Sequence, residues 1–346
     1  MSYTAVNIPG RFGFGTMSMT WKPVPPPTAQ SIETLKFVTS HKEFGTKLLN
    51  GGEFYGPDDA NLKLFKEFLD SNDPEANKEL IVSIKGGVGP DLRPDGGRES
   101  IKRSIENIAS YFPKENRPKL IFEIARVDTS IPYEETVGHI AEFVKNGTID
   151  GISLSEVGIE SIRKAITVFP ISCVELELNL FSPEVINTGI LKELSAHQIP
   201  LIAYSPLCRG LLTDYCVEHA DTFLDEIPEG DFRLYLDKFQ PDNFKHNLVA
   251  LKKLYDYAHN VKKTTLETLA LSWILKISGK ENFKGIPKVT HILPIPSGST
   301  TARVTSNFSN FIELTDEDLQ AIDKIFEENP IRGLRYNEHL EDSLMQ

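Results

Sequence analysis

The sequence predicts a single-domain (β/α)8 barrel on two observations. Eight short, apolar, β-rich runs recur along its 346 residues, and the stretches between them carry helical periodicity. That alternation makes the strands parallel, and eight of them at this length favour a barrel over a doubly wound sheet. No linker and no low-complexity segment divides the chain, so residues 1–346 read as one domain.

The runs are, in order, RFGFGTM (11–17), TKLLNGG (46–52), LIVSIKGG (80–87), KLIFEIARVD (119–128), GISLSEV (151–157), CVELELNLF (173–181), PLIAYSPL (200–207) and THILPIPSG (290–298). The first connection, SIETLKFVTSHKEF (31–44), gathers Ile32, Leu35, Phe37 and Val38 on one side of a helix. YEETVGHIAEFVKNG (133–147) closes on Gly147, as a helix C-terminus should. TTLETLALSWILKIS (264–278) supplies the seventh crossover helix. Two segments break the rhythm. Residues 208–245, rich in charge and aromatics, follow the seventh strand and read as a lid or pocket wall, because long loops after barrel strands sit on the catalytic face. After the acidic-capped helix TDEDLQAIDKIFEE (315–328), residues 330–346 form a C-terminal tail placed on the same face.

Composition excludes several classes of function. A net charge of −12 argues against nucleic acid or an anionic membrane as partner, since both reward clustered Lys and Arg. Cys173, Cys208 and Cys216 show no metal-type pairing and fit a reducing compartment. No apolar run is long enough to span a membrane, and the first residues lack a signal peptide's charged start and apolar core. The cytoplasm is the expected location.

Catalysis in a barrel sits where strands end. The second strand ends at Asn50, followed by Gly51-Gly52-Glu53-Phe54-Tyr55; consecutive glycines there give up packing for backbone freedom. This reads either as a plain strand-to-helix turn or as a device for presenting the Tyr55 phenol. Lys85 ends the otherwise apolar LIVSIK, and a buried ammonium needs a partner or a function. Beside Tyr55 it would stabilise a phenolate, lowering a pKa normally near 10 toward the working pH and making a useful proton donor. PSGSTTARVTSN (296–307) opens a helix after the eighth strand, either as an anion cradle with Arg303 one turn in, or as an ordinary capped helix. No nucleophile–His–acid trio and no metal cluster competes; the expected metal is none.

With these residues in place, the chain resembles the aldo-keto reductase superfamily from about Gly13 to Asn307. The carriers are GFGTMSMTW, NGGEFYG, VSIKGG, GISLSEV, LIAYSPLCRGLLT and IPSGSTTARVTSN, in order on the expected strand ends. The resemblance implies NADPH lying extended across the catalytic face and carbonyl reduction, with Tyr55 as proton donor and Lys85 as the neighbour that sets its pKa. It also implies cofactor contacts from Gly15, Thr16, Met17, Ser155, Glu156, Glu175, Tyr204, Ser205, Pro206 and Leu207. Tyr204 would stack on the nicotinamide, Ser299, Thr301 and Arg303 would hold the 2′-phosphate, and Asn307 would contact adenine.

The chain departs from the family's pattern at three positions. Asn50 stands where the tetrad has Asp, Ala125 where it has His, and Glu175 where the cofactor-amide Gln is usual. Without a carboxylate at position 50, more of the Lys85 field reaches Tyr55, but Lys85 also deprotonates more easily; the net sign stays open. The missing His removes a donor worth on the order of 3 kcal/mol in transition-state stabilisation. Asn50 with Ala125, together with ARVD (125–128), GLRYN (333–337) and MSMTW (17–21), resembles the fungal pyridoxal reductase branch. That resemblance implies pyridoxal as the small-molecule partner; a monomer is the expectation, and the sequence leaves the oligomeric state open. Arg126 and Asp128 either reach the pyridine's polar groups or pair with each other at the rim. Trp21 either stacks on the substrate or packs under the lid. The competing readings are an NADPH-binding regulatory module resembling potassium-channel β-subunits, and a reductase of a different aldehyde.

Overall fold

A computed structural model describes residues 3–115 and 117–346. Its eight barrel strands are β1 (Phe14–Gly15), β2 (Leu48–Gly52), β3 (Ile81–Gly86), β4 (Lys119–Ile124), β5 (Gly151–Ser155), β6 (Cys173–Glu177), β7 (Leu201–Tyr204) and β8 (Ile292–Pro294). They pair in parallel and in chain order from β1 to β8. The Gly13 N–H, donating to the Pro294 carbonyl at 3.0 Å, brings the two edges together and leaves the barrel nearly closed. All eight expected runs carry a strand, but several are shorter than their apolar stretch. The chain turns early where Glu156 (φ 51°) and Ser205 (φ 48°) adopt left-handed backbone just beyond β5 and β7.

Inside the barrel, Ile8, Leu48, Ile81, Ile121, Cys173, Ile202, Leu293 and Ile295 form an apolar plug toward the N-terminal ends of the strands. Outward-facing strand residues pack against the surrounding helices in a second, larger core. The helix Thr28–Ser40 buries Ser31, Thr34, Leu35 and Val38, a stripe at i, i+3, i+4 and i+7. It stops at Ser40 rather than Phe44; a 3-10 turn over Lys42–Phe44 tucks Phe44 into the core. The helix Arg98–Ser110 lays Ile101, Ile105 and Ile108 on the barrel by the same periodicity. The helix Leu266–Ile277 precedes an antiparallel hairpin, Glu281–Phe283 with Ile286–Lys288, that the apolar pattern does not announce. The helix Asp316–Glu328 begins with a reciprocal capping box between Thr315 and Asp318.

Residues 208–245 hold three 3-10 turns, a short helix (Asp214–Glu218) and the start of the helix Pro241–Asp256. They are tied to the tail: the Asp237 N–H donates to the Tyr336 carbonyl at 2.7 Å and the Asn337 amide to the Tyr235 carbonyl at 2.9 Å. The tail then reaches β5's exit, where the Gly158 N–H donates to the Gln346 carbonyl at 2.6 Å. Among the described residues, no helix is long and apolar enough to cross a membrane.

Candidate active site

The turn after β2 presents Tyr55 through four devices. Gly51 lies against Asn61 and Phe65, leaving no room for a Cβ. At Gly52 an added Cβ would stand 2.8 Å from the Tyr55 ring, so glycine lets the phenol fold back over its own strand. Glu53, buried, anchors the turn to the helix Arg98–Ser110: its carboxylate accepts from Ser104 Oγ at 2.5 Å, Asn107 Nδ2 at 2.9 Å and Arg103 Nη1 at 3.2 Å. Thr20 Oγ1 fixes the Tyr55 carbonyl at 2.7 Å.

Lys85 closes β3 inside the barrel with its Nζ 5.7 Å from the centre of the Tyr55 ring. Its ammonium donates to Asn50 Oδ1 at 3.0 Å and to Glu175 Oε1 at 2.6 Å. Nζ also lies 3.0 Å from Glu123 Oε1, an ion-pair contact outside hydrogen-bond angles. The Asn50 amide donates to Glu175 Oε2 at 2.5 Å and Glu123 Oε2 at 3.0 Å, and Ser83 Oγ donates to Glu123 Oε2 at 2.8 Å. Four strands thus converge on one buried ammonium.

This geometry corrects the electrostatics expected from the sequence. Asn50 does not leave Lys85 without a neighbouring carboxylate, because β4 and β6 supply two. Burial opposes the charge on Lys85, but Glu123 and Glu175 outweigh it and hold its pKa well above the ordinary value. Burial also pushes the Tyr55 phenol up; Lys85 pulls the other way, and the two carboxylates reinforce the rise. The expected lowering toward neutral pH is therefore not found: burial holds the Tyr55 phenol above its ordinary value. Burial, then the adjacent Glu123, push Glu175 up to about 8 against the pull of Lys85.

A second buried group lies beside β5 and β7. Glu156 accepts from Arg335 Nη2 at 2.5 Å and from the Tyr204 hydroxyl at 2.7 Å, and Tyr336 Oη lies 3.0 Å from Tyr204 Oη. Arg209 reaches Glu177 at 3.3 Å and covers the Tyr336 ring at 4.8 Å. Glu123, Glu177, Arg209, Arg335 and Tyr336 escaped the sequence reading as site residues. A signal existed for the glutamates: KLIFEI and CVELE carry a charge inside an apolar strand, as LIVSIK does.

The other expected residues are distributed unevenly. Thr16 braces β1 to β2, its hydroxyl donating to the Asn50 carbonyl at 2.8 Å, beside Gly15, whose Cα faces the Ile295 carbonyl. Met17 and Trp21 are each 41% exposed, and the Trp21 ring lies 5.5 Å from that of Tyr55 at the open mouth, not buried beneath the loop. Ser155 pairs in register with Glu175. Ser205, Pro206 and Leu207 form the turn out of β7, where the Ser205 carbonyl accepts from Asn179. Arg126 and Asp128 do not pair. Asp128 is turned back on its own loop, accepting from the Gly96 N–H at 3.0 Å and from Ser130, and Arg126 binds Ser343 Oγ in the tail. Ser299 lies in the turn before the helix Thr301–Ser309; Thr300 caps that helix by accepting from the Arg303 N–H, and the Arg303 side chain is exposed. Asn307 is buried with Nδ2 on the Ser297 carbonyl and Oδ1 without a partner.

The chain belongs to the aldo/keto reductase family, whose model matches residues 11–327. It is therefore an oxidoreductase. It is similar to "Probable pyridoxal reductase 2" of Schizosaccharomyces pombe, 36% identical over 339 residues that cover 97% of each chain. A Saccharomyces cerevisiae protein whose name likewise reads pyridoxal reductase is 36% identical over 345 residues, covering 94% of this chain and 95% of its own. Among solved structures, the glycerol dehydrogenase of Gluconobacter oxydans shares the fold, with a TM-score of 0.76 at 20% identity over 96% of this chain and 97% of that one. So does an aldo-keto reductase of Klebsiella pneumoniae in complex with NADPH, with a TM-score of 0.65 at 18% identity over 97% and 99%.

Proposed function

We propose that this protein reduces pyridoxal to pyridoxine with NADPH, using Tyr55 as the proton donor. The observation that carries the reading is the buried Tyr55 ring set 5.7 Å from the Lys85 ammonium at the barrel mouth. The names of the two relatives at 36% identity point to the substrate.

The residues present fit the cofactor. Asn307 Oδ1 is a buried acceptor with no donor, as a site for an exocyclic adenine amine requires. Ser299, Thr301 and the exposed Arg303 stand at a helix start suited to a phosphate. Glu156 is committed to Arg335 and Tyr204, and Glu175 to Lys85 and Asn50, so of the three residues expected at the carboxamide Ser155 is the one that would meet it. When bound, NADPH would supply the hydride. Tyr55 gives its proton to the carbonyl oxygen as charge develops there, and the Lys85 ammonium stabilises the phenolate left behind. Trp21, edge-open beside Tyr55, provides an aromatic wall for the pyridine ring.

Ala125 leaves that oxygen without a second donor from β4. Pyridoxal carries a phenolic hydroxyl ortho to its aldehyde, which donates internally and supplies part of what the chain lacks. The test is steady-state NADPH oxidation with pyridoxal and a panel of simple aromatic aldehydes, on the native chain and on Tyr55→Phe. Turnover confined to pyridoxal and abolished in the variant is expected. NADPH binding without turnover of any aldehyde would overturn the reading in favour of a cofactor-binding module.

A further inference from the structure

The Lys85 cluster is a closed ring of contacts. Lys85 touches Glu175 and Glu123, and the Asn50 amide joins those two carboxylates on their far oxygens while its own oxygen accepts from Lys85. Asn50 completes this ring by both donating and accepting, and an Asp there, with Glu123 still in place, would add a third acidic group around one ammonium. The titratable groups facing Lys85 are Tyr55 after β2, Glu123 on β4, and Glu175 with Cys173 on β6. Glu123 is 1% exposed, and besides Lys85 it meets the neutral Ser83 and Asn50 and the neighbouring carboxyl of Glu175. A buried carboxylate so placed has one cation to answer.

We infer that Glu123 is the positioning residue for proton transfer: its carboxylate holds Lys85 charged and aimed at Tyr55, and it is the charge on β4 that requires a neutral amide at position 50. This inference rests on the proposed reduction and assigns Glu123 a part in it. The carboxylate is portable between β2 and β4, because Asn50 Oδ1 already sits 3.0 Å from Lys85 Nζ.

The test compares Glu123→Gln, Asn50→Asp and the double variant. Glu123→Gln should lower kcat for pyridoxal by about 100-fold, the scale of a general-acid contribution, with KM for NADPH unchanged. Asn50→Asp alone should also lose turnover, through the third carboxylate. The double variant, which moves the carboxylate from β4 to β2, should recover to within about tenfold of the native enzyme. Glu123→Asp keeps the charge at slightly shorter reach and should retain most turnover, which separates loss of charge from loss of packing. A double variant no better than Glu123→Gln, or a Glu123→Gln enzyme with native kcat, would overturn the inference.

A measurement independent of turnover keeps this distinct from the proposed function. The 13Cε resonance of Lys85 should stay that of an ammonium to high pH in the native chain, titrate lower in Glu123→Gln, and return in the double variant. If no aldehyde is reduced but this pattern holds, the function assignment fails and the charge assignment stands. If Lys85 titrates alike in all three chains, Glu123 does not hold its charge and the inference falls.

Discussion

Replacing Glu175 by glutamine should remove a loss of stability that the protein suffers as pH rises through neutrality. The carboxyl is 2% exposed, shares Asn50 with Glu123, and keeps its proton to about pH 8, whereas an unfolded chain releases it near 4.5. The folded state therefore binds more protons than the unfolded state across that window. Stability conferred by the group is complete below about pH 4.5 and declines as pH climbs toward 8. At about 1.4 kcal/mol per pH unit, the native chain should lose roughly 3 kcal/mol relative to Glu175→Gln between pH 5 and pH 7. The amide can still accept from Lys85 and, after rotation, pair with Asn50, so the variant should fold. Urea unfolding of both cofactor-free proteins at half-unit pH intervals reads the difference directly, because every other titrating group is common to the two. Parallel stability–pH curves would refute the reasoning and show that Lys85 keeps Glu175 ionised at neutral pH.

Three further outcomes follow from the same geometry. Gly52→Ala sets a methyl 2.8 Å from the Tyr55 ring and must displace it; kcat should drop by about 100-fold while the near-ultraviolet circular dichroism stays native. Arg335→Leu strands the buried Glu156 carboxylate and should cost about 3–5 kcal/mol in chemical denaturation. In the proposed reaction, 3-deoxypyridoxal lacks the internal donor that stands in at Ala125, so it should be reduced more slowly than pyridoxal; equal rates would dismiss that role.

The strands were legible because an inward and an outward apolar surface leave almost no polar position in a parallel barrel strand, and eight such runs stand out from their amphipathic connections. The hairpin at 281–288 was not, since four of its six strand residues are exposed and carry no apolar signature. Tyr55 and Lys85 could be found because they lie at the ends of neighbouring strands, where adjacency follows from order alone. Glu175 meets Lys85 from three strands away, and Arg335 meets Glu156 across 179 residues; such contacts depend on the barrel's curvature and on where the tail comes to rest. Asp128 misled for a related reason: its spacing from Arg126 fits a pair, but the nearer N–H groups of Gly96 and Ser130 took its oxygens.

The two tiers inside the barrel bear on how the chain reaches its fold. The lower tier is the plug of Ile8, Leu48, Ile81, Ile121, Cys173, Ile202, Leu293 and Ile295, which can collapse without regard to charge. The upper tier cannot be sealed until β4 and β6 bring Glu123 and Glu175 around the Lys85 ammonium, since until then Lys85 retains its hydration. Collapse should therefore start at the closed end and dry upward, and the catalytic mouth should be the last part of the interior to lose its water.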